Sequence, residues 1–143
     1  MQEPTFNDAG TAAFVRSGFD ETTQSFVSEI VTGGGGPLTV VADTRGELGS
    51  FGFRPPSINE VADVAYLASL DDFTTTGIFV DPDPVADWVI ATGDTLDGST
   101  VTNLTFCEEG LSDSGELAFV AMLDDPSSPD GFRTAVFRAT APA

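Results

Sequence analysis

One stretch decides the fold of this 143-residue chain: Phe6-Asn7-Asp8-Ala9-Gly10-Thr11-Ala12-Ala13-Phe14-Val15. Related stretches follow at residues 58–67 and 111–120, and each contains an alanine followed by an aromatic residue. These pairs recur at intervals of 52 and 53 residues, as Ala13-Phe14, Ala65-Tyr66 and Ala118-Phe119. A fixed period of about 50 residues is typical of repeat architectures, in which each unit packs against its neighbours. The sequence therefore predicts two full repeats and part of a third.

Short apolar runs bounded by glycine, proline and aspartate predict strands throughout the chain. In repeat 1 (about 4–53) they are residues 11–19, 24–31, 38–42 and 50–53; in repeat 2 (about 54–106), residues 63–70, 77–80, 88–91 and 101–106; in partial repeat 3 (about 107–143), residues 116–123 and 134–140. The chain is thus predicted to be a single all-β domain, residues 1–143, with about ten strands. Each full repeat is predicted to form a four-stranded antiparallel meander.

The motif residues themselves predict turns and sheet packing rather than chemistry. Asparagine followed three residues later by glycine favours a turn, because Asn bonds nearby backbone and Gly accepts a positive φ. Adjacent strand residues point to opposite faces, so the alanine lets one sheet approach closely while the aromatic ring fills space on the other side. The predicted structural positions are Asn7, Gly10, Ala13, Phe14, Asn59, Ala65, Tyr66, Gly115, Ala118 and Phe119. Two positions depart from the motif: Ala62 replaces its glycine in the second copy, and Ser112 replaces its asparagine in the third.

These motifs resemble the NxxGxxAF tandem-repeat family. The resemblance runs through the motif copies, through Ile78-Phe79 and through the segment Thr92-Gly93-Asp94-Thr95-Leu96-Asp97-Gly98, and it covers nearly the whole chain. It implies a secreted, surface-anchored bacterial protein with a propeller-like array of repeats, and it implies no catalytic residue. We therefore expect an extracellular or cell-surface location, although the sequence contains no export signal.

Two and a half propeller blades, as the repeat count predicts, cannot close a ring, since closed propellers have about four to eight blades. Unpaired edge strands would remain, and such edges pair readily with other chains. We therefore expect the chain to self-associate, as a homo-oligomer or a polymer. The alternatives are a self-contained β-sandwich and a fragment of a longer propeller.

The charge excludes several classes of partner. The chain has 23 acidic residues against 5 arginines, with no lysine or histidine, for a net charge of −18. Nucleic-acid binding requires cations that neutralise phosphates, so we expect no nucleic-acid partner. No stretch approaches the roughly 20 apolar residues that span a bilayer, so we expect no membrane insertion.

The same composition argues against an enzyme. Without histidine or lysine, the chain cannot form a Ser-His-Asp triad, a Cys-His pair or a Schiff base. Its paired carboxylates, Asp71-Asp72, Glu108-Glu109 and Asp124-Asp125, lie in or beside predicted turns, where acidic residues are usually solvated. We predict no catalytic residue and no organic cofactor.

Calcium is the one cofactor that the acidic loops allow, because it binds carboxylate and carbonyl oxygens. The weak candidates are Asp124, Asp125 and Asp130, with Asp94 and Asp97 as a second pair, although none has the regular spacing of a calcium loop. The single cysteine, Cys107, excludes an internal disulfide. It follows an apolar run, so we expect it to be buried, with an intermolecular link as the alternative.

The sequence thus predicts a non-enzymatic, secreted structural protein whose β-repeats associate through open edge strands. The alternative is an extracellular module that binds a glycan or a protein, with Trp88 and Tyr66 as candidate stacking groups, although both are expected to lie in the core.

Overall fold

The computed structural model describes residues 3–52, 54–80 and 87–140, and these form strands joined by turns. The strands are β1 (Thr5–Phe6), β2 (Ala12–Asp20), β3 (Ser25–Gly33), β4 (Thr39–Asp43), β5 (Leu48–Phe51), β6 (Ser57–Ile58), β7 (Val64–Leu70), β8 (Thr76–Val80), β9 (Trp88–Ala91), β10 (Thr95–Leu96), β11 (Ser99–Leu111), β12 (Glu116–Asp124) and β13 (Phe132–Thr140). The prediction of an all-β chain is confirmed. None of the described residues forms a helix with the length and apolarity that crossing a membrane requires.

The strands form three antiparallel sheets. The first sheet has the order β1-β2-β3-β4, and the third has the order β10-β11-β12-β13. In the middle sheet β5 and β6 both pair with β7, which is followed by β8 and β9. Each sheet is a meander, because its strands pair in their sequence order, except that β5 and β6 both pair with β7.

The sheets are offset from the predicted repeats. The strands predicted to end repeats 1 and 2 pair with the first strand of the following repeat: in β5, Phe51 pairs with Ala68 of β7, and in β11, Phe106 pairs with Phe119 of β12. Strand β11 therefore belongs to the third sheet, so the chain forms three sheets rather than two and a half. The local pattern predicts a strand but does not identify its partner. Phe53, the last residue of one predicted strand, lies outside the described residues.

The middle sheet is covered on both faces. Along β7, Val64, Tyr66 and Ala68 point into a core shared with the first sheet, whereas Ala65 and Leu67 point into a core shared with the third. The first core also contains Ala13, Ile30, Ala42, Leu48, Ile58 and Phe79, and the second contains Ile78, Val80, Ile90, Val101, Leu104, Phe106, Leu111, Leu117, Phe119, Ala121 and Leu123. This alternation explains why the strands of the middle sheet are almost continuously apolar.

The expectation that Cys107 is buried is wrong, since its side chain is exposed. It follows Phe106 on β11, and Phe106 is buried in the core shared with the middle sheet. Successive strand residues point to opposite faces, so the residue after an inward-facing phenylalanine points away from that core.

Candidate functional site

Each sheet has an Ala face and an aromatic face, named after the residues of the Ala-aromatic pair. The Ala faces of the first and middle sheets carry the buried Ala13 and Ala65, and each packs against the sheet that follows. The aromatic faces of the middle and third sheets carry the buried Tyr66 and Phe119, and each packs against the sheet that precedes. The structure therefore stacks the sheets in one direction, with an Ala face always against an aromatic face.

Two faces in this stack are uncovered by the described residues. The aromatic face of the first sheet has only half-buried Phe14 where the other sheets have buried rings, and the Ala face of the third sheet exposes Ala118. These two surfaces, called the end faces below, are the candidate functional site.

The pairing register shows how far the end faces differ from their internal counterparts. Ile30, Ile78 and Val136 occupy the same place on the Ala faces, opposite Val15, Leu67 and Val120 respectively. Ile30 and Ile78 are 1% and 0% exposed, whereas Val136 is 73% exposed. On the aromatic faces, Phe6 is 66% exposed while the corresponding Ile58 and Leu111 are buried. The residues are apolar at both kinds of position, so the missing neighbour accounts for the exposure.

The turns that precede β2, β7 and β12 are bonded to one another across the stack. The side-chain amide of Asn7 donates to the carbonyl of Asn59 at 3.1 Å, and the amide of Asn59 donates to the carbonyl of Ser112 at 2.9 Å. Both asparagines are buried, so these bonds satisfy polar groups that would otherwise destabilise the fold. Each bond runs from one sheet to the next in the same direction.

A second set of bonds lies beside the first. The backbone N–H of Asp8 donates to the Glu60 carboxylate at 2.7 Å, and the N–H of Glu60 donates to the Asp113 carboxylate at 2.8 Å. Together with the asparagine bonds they form what we call the motif contacts. Among the described residues, nothing donates to the carboxylate of Asp8 from a preceding sheet and nothing accepts the N–H of Asp113 from a following one. The motif contacts therefore end at the two end faces.

Within each turn the same side chain also holds the backbone. The side-chain amide oxygen of Asn7 accepts from the N–H of Thr11, and that of Asn59 accepts from the N–H of Asp63, both at 2.8 Å. Ser112 keeps this role, since its hydroxyl accepts from the N–H of Glu116 at 3.0 Å. It has no amide to donate onward, so the substitution preserves the turn and removes the bond to a following sheet.

The third residue after each of these positions adopts a positive φ. Gly10 and Gly115 have φ values of 84° and 82°, and Ala62 is held at 67°. Alanine adopts this conformation only at a steric cost, because its Cβ approaches the following carbonyl oxygen. The turn of the second copy therefore keeps the motif geometry without the motif residue.

Hydroxyl groups add further contacts between neighbouring sheets. Thr5 donates its hydroxyl hydrogen to the carbonyl of Pro56 at 2.7 Å, and the fully buried Ser57 accepts from the N–H of Leu111 at 3.3 Å. These residues lie two positions before the turn residue in the first two copies. The short strands β1 and β6 and the end of β11 are thereby held together.

A groove of about 750 Å³ runs from the aromatic end face around the edge of β2. Phe6, Phe14 and Arg16 line it on the aromatic end face, and Ser17 on the other face of β2 and Phe51 of β5 line it beyond the edge. The groove continues past the edge of β2, where no described strand pairs with residues 14–20 on the side away from β3. In the middle and third sheets, β5 and β11 occupy the corresponding place.

An ion-pair cluster lies on the same face, farther from the turns. Arg45 contacts Glu29 at 2.7 Å, Asp20 at 3.0 Å and Asp43 at 3.3 Å, and Arg16 contacts Glu29 at 2.6 Å. Hydrogen bonds from Arg45 lower the pKa of Asp20, and those from Arg45 and Arg16 lower the pKa of Glu29. The hydrogen bonds to Glu29 and Asp20 raise the pKa of Arg45. Both arginines are exposed and the three carboxylates are only partly buried, so solvent screens the cluster and its contribution to stability is small.

The candidate calcium residues are engaged in turns. Asp125 accepts hydrogen bonds from the N–H and hydroxyl of Ser127, and the bond from this hydroxyl is the main reason that the pKa of Asp125 is lowered. Asp124 and Asp130 are exposed. No group of three or more histidine, cysteine, aspartate or glutamate residues is arranged to hold a metal within residues 3–52, 54–80 and 87–140. Calcium binding stays a prediction, and the described residues contain no preformed site for the ion.

The other acidic candidates are likewise used locally. Asp94 accepts from the N–H of Ala91 at 2.8 Å, and Asp97 contacts Arg133 at 3.0 Å. The backbone N–H of Thr75 is the main cause that lowers the pKa of Asp72 to about 2. The side chain of Glu108 lies outside the described part of the structure.

The two proposed stacking residues lie in the core. Tyr66 is 1% exposed and stacks on Phe79 with ring centroids 5.5 Å apart, while half-buried Trp88 packs edge-on against Phe79. Tyr66 therefore presents no open ring face to a ligand, whereas Trp88 remains partly exposed. The exposed rings are instead those of Phe6, Phe19, Phe26, Phe73 and Phe132.

Comparison with known proteins gives a family and no function. Residues 1–137 match the model of a family of unknown function, DUF7453, and the chain belongs to this family. No curated protein and no solved structure matches the chain. The resemblance to the NxxGxxAF repeats stays a prediction.

Proposed function

We propose that this member of a family of unknown function is a non-enzymatic structural protein that assembles with further copies of itself through its end sheets. The observation that carries the proposal is that the stack ends on two apolar faces that correspond, position by position, to faces buried inside it. An exposed apolar patch of this kind marks an interaction site in a soluble protein. Here the pattern of the patch indicates what covers it, namely another sheet of the same kind.

The finer architecture that we propose is a tandem repeat with a propeller-like arrangement. In a propeller the first strands of successive blades lie side by side around the axis. The contacts of β6 with both β1 and the end of β11 support such an arrangement. Two copies would supply six sheets, which lies within the range of about four to eight blades for closed rings.

An assembly built this way is heterologous, because each copy contributes its third sheet to one contact and its first sheet to another. Such contacts close into rings when the rotation between copies allows it, and they otherwise continue into filaments. The unpaired edge of β2 adds backbone groups that a neighbouring strand can bond. Both outcomes serve a structural role.

We further propose that the assembly is extracellular or at the cell surface, as the resemblance to the NxxGxxAF repeats implies. The charge of −18 supports a protein that works at substantial ionic strength. Copies with this charge repel each other, and salt shortens the range of the repulsion from about 10 Å at 0.1 M to about 3 Å at 1 M. We expect assembly to strengthen as salt is added.

The test is the mass of the purified chain in solution, measured by light scattering at 0.1 M and 1 M salt, with electron micrographs of the same samples. We expect masses above the 14.9 kDa monomer that grow with protein concentration and with salt, and rings or filaments in the micrographs. A monodisperse monomer at every concentration and salt level would refute the assembly function.

A second candidate function is the capture of a glycan or protein in the groove of the aromatic end face. The groove favours it because Phe6 and Phe14 present apolar surface beside polar groups of Arg16 and Ser17, as ligand sites commonly do. A glycan-array screen separates the two functions. Consistent hits that Phe6→Ala abolishes, from a protein that stays monomeric, would favour binding over assembly.

A further inference from the structure

We propose that the third sheet of one copy stacks face to face on the first sheet of the next copy, in the register that joins the sheets within the chain. The inference rests on the assembly function proposed above and names its contact surface. The Ala end face of a second copy of this chain would thus cover the aromatic end face, including the part of the groove that lies on it.

The Ala end face has the composition that the internal contacts use. Ala118, Val120 and Val136 stand where the middle sheet has Ala65, Leu67 and Ile78, which are packed in the core shared with the third sheet. Small and branched apolar residues therefore occupy equivalent positions on the covered and the uncovered face. An aromatic face is what covers them inside the chain.

The aromatic end face supplies the complementary surface. Phe6 and Phe14 stand where the middle sheet has Ile58 and Tyr66, the residues that fill the core against the Ala face of the first sheet. Their exposed area borders the groove of about 750 Å³. The part of the groove that lies on the aromatic end face is therefore space that the Ala face of another third sheet would fill.

The motif contacts would continue in the same direction across this contact between two copies. The N–H of Asp113 in one copy would donate to the carboxylate of Asp8 in the next, as Asp8 donates to Glu60 and Glu60 to Asp113 within the chain. The amide bond would be absent, because Ser112 has only a hydroxyl that already holds its own turn. Gly110, two positions before Ser112, also has no hydroxyl like that of Thr5 or Ser57. The contact between copies thus has two hydrogen bonds fewer than the internal contacts, which makes it weaker and more readily reversible.

The chemistry of β13 favours stacking over strand pairing. Its nine residues include Arg133 and Arg138, and charged side chains on an edge strand oppose pairing with another strand. Arg138 projects from the same face as Ala118, its pairing partner, and its side chain is largely exposed. A positive group on this face complements Asp8 of the partner, whereas Asp20, Glu29 and Asp43 of the aromatic end face are already paired with its two arginines.

The decisive experiment uses two single variants that each block one face. Val136→Glu places a carboxylate on the Ala end face, and Phe6→Glu places one on the aromatic end face. Both positions are exposed, so neither change disturbs the fold of the monomer. Val61→Glu is the matched control, because Val61 is 63% exposed in a turn of the middle sheet, away from both end faces.

Sedimentation velocity should show that each blocked variant alone is a monomer, whereas the control assembles as the native chain does. An equimolar mixture of the two blocked variants should form a dimer of twice 14.9 kDa and nothing larger, because one intact Ala face and one intact aromatic face remain. Circular dichroism of each variant verifies the fold.

The outcomes separate this inference from the function on which it rests. If the native chain does not assemble at all, the assembly function fails and the inference fails with it. If the native chain assembles but either blocked variant still does, or the mixture gives no dimer, the function stands and the contact proposed here is wrong.

A variant that adds a hydrogen bond tests the same contact between copies by strengthening it. Ser112→Asn restores the amide that the third copy lacks, so it should tighten self-association by between about twofold and tenfold, the effect of one added neutral hydrogen bond. Unchanged or weaker association of this variant would contradict the proposed register.

Discussion

The middle sheet and the two end sheets carry similar residues in similar places and differ in what covers them. Ile78 on the middle sheet is buried, and Val136, at the same place in the pairing register of the third sheet, is largely exposed. Both are β-branched and apolar, so residue type does not explain the difference. The comparison teaches that burial in this molecule depends on whether another sheet follows. An end face is therefore best understood as half of a contact whose other half is seen elsewhere in the chain.

The largest effect on stability should come from removing a buried side chain between two stacked sheets. Tyr66→Ala removes a fully buried ring between Phe51 and Phe79, and we expect the free energy of unfolding to fall by about 3–5 kcal/mol. Phe14→Ala is the control at the corresponding place on the aromatic end face, and it should cost much less in the monomer. Urea unfolding of both variants at low protein concentration measures the difference. Equal losses would mean that the end face is as well packed as the core.

A smaller effect on stability should follow from removing one of the motif contacts between sheets. Asn59→Ser keeps a hydroxyl for the turn, as Ser112 does, but removes the amide that bonds the carbonyl of Ser112. We expect a loss of about 1–2 kcal/mol, because the buried amide of Asn59 donates to the Asp63 carboxylate as well as to the Ser112 carbonyl, and both bonds are lost. In the monomer, Ser112→Asn should change stability by less than about 0.5 kcal/mol, since no sheet follows it. The comparison fails if the two substitutions have similar effects at low protein concentration.

The turn of the second copy offers a stabilising change. Ala62→Gly relieves the positive φ of 67°, and we expect the free energy of unfolding to rise by about 1 kcal/mol. Gly115→Ala imposes the same strain on the third copy and should lower stability by about as much, because no atom lies near enough to add a clash. Thermal unfolding of both variants checks the opposite signs. A loss of stability in Ala62→Gly would mean that the turn geometry depends on its methyl group.

The smallest effect concerns acid and the ion-pair cluster of the first sheet. A carboxyl group whose pKa is lowered by folding stabilises the protein above its unfolded pKa, and this stabilisation is lost as the pH falls through the folded pKa. The ordinary pKa values are 4.5 for Glu29 and 3.8 for Asp20 and Asp72, so the loss begins as the pH falls below about 4.5. Asp72, in the middle sheet, loses its contribution progressively as the pH falls from its ordinary pKa of 3.8 to its folded pKa of about 2.

Arg45→Gln should reduce the part of this acid dependence that Glu29 and Asp20 contribute and leave that of Asp72, because Arg16 still bonds Glu29. Arg54→Gln removes the same charge outside the cluster and is the matched control. Urea unfolding between about pH 6 and pH 2 gives the profiles. Superimposable profiles for the native chain and Arg45→Gln would show that the cluster adds nothing to folding.

The strands and turns could be predicted from the sequence because their signals are local. The runs that form β2, β7 and β12 have residue types typical of strands, and Asn7, Gly10 and Gly115 are residues that turns of positive φ favour. The Ala-aromatic pair also predicted that the alanine and the aromatic ring point to opposite faces of their sheet. These properties depend on adjacent residues, so a single sequence carries them.

The pairing of β5 with β7 and the bond from Asn7 to Asn59 could not be predicted in the same way. Both join residues far apart in the chain, and the local pattern at Ser50 or Asn7 is the same whichever partner is chosen. The repetition of asparagine at a fixed interval was a signal that pointed to a role beyond its own turn. The position of Cys107 was missed because an apolar run was taken as buried on both faces, whereas β11 has only one face in the core.

Hydrogen–deuterium exchange of the native chain at low and high protein concentration tests most directly whether the end faces are unfinished contacts. We predict that segments 112–118 and 132–140 of the third sheet, and segment 5–15 of the first, exchange more slowly as concentration rises. Segment 57–66 of the middle sheet should be protected already and should not change. If the end-sheet segments exchange at the same rate at every concentration while the mass of the particles grows, the copies meet elsewhere and the account is contradicted.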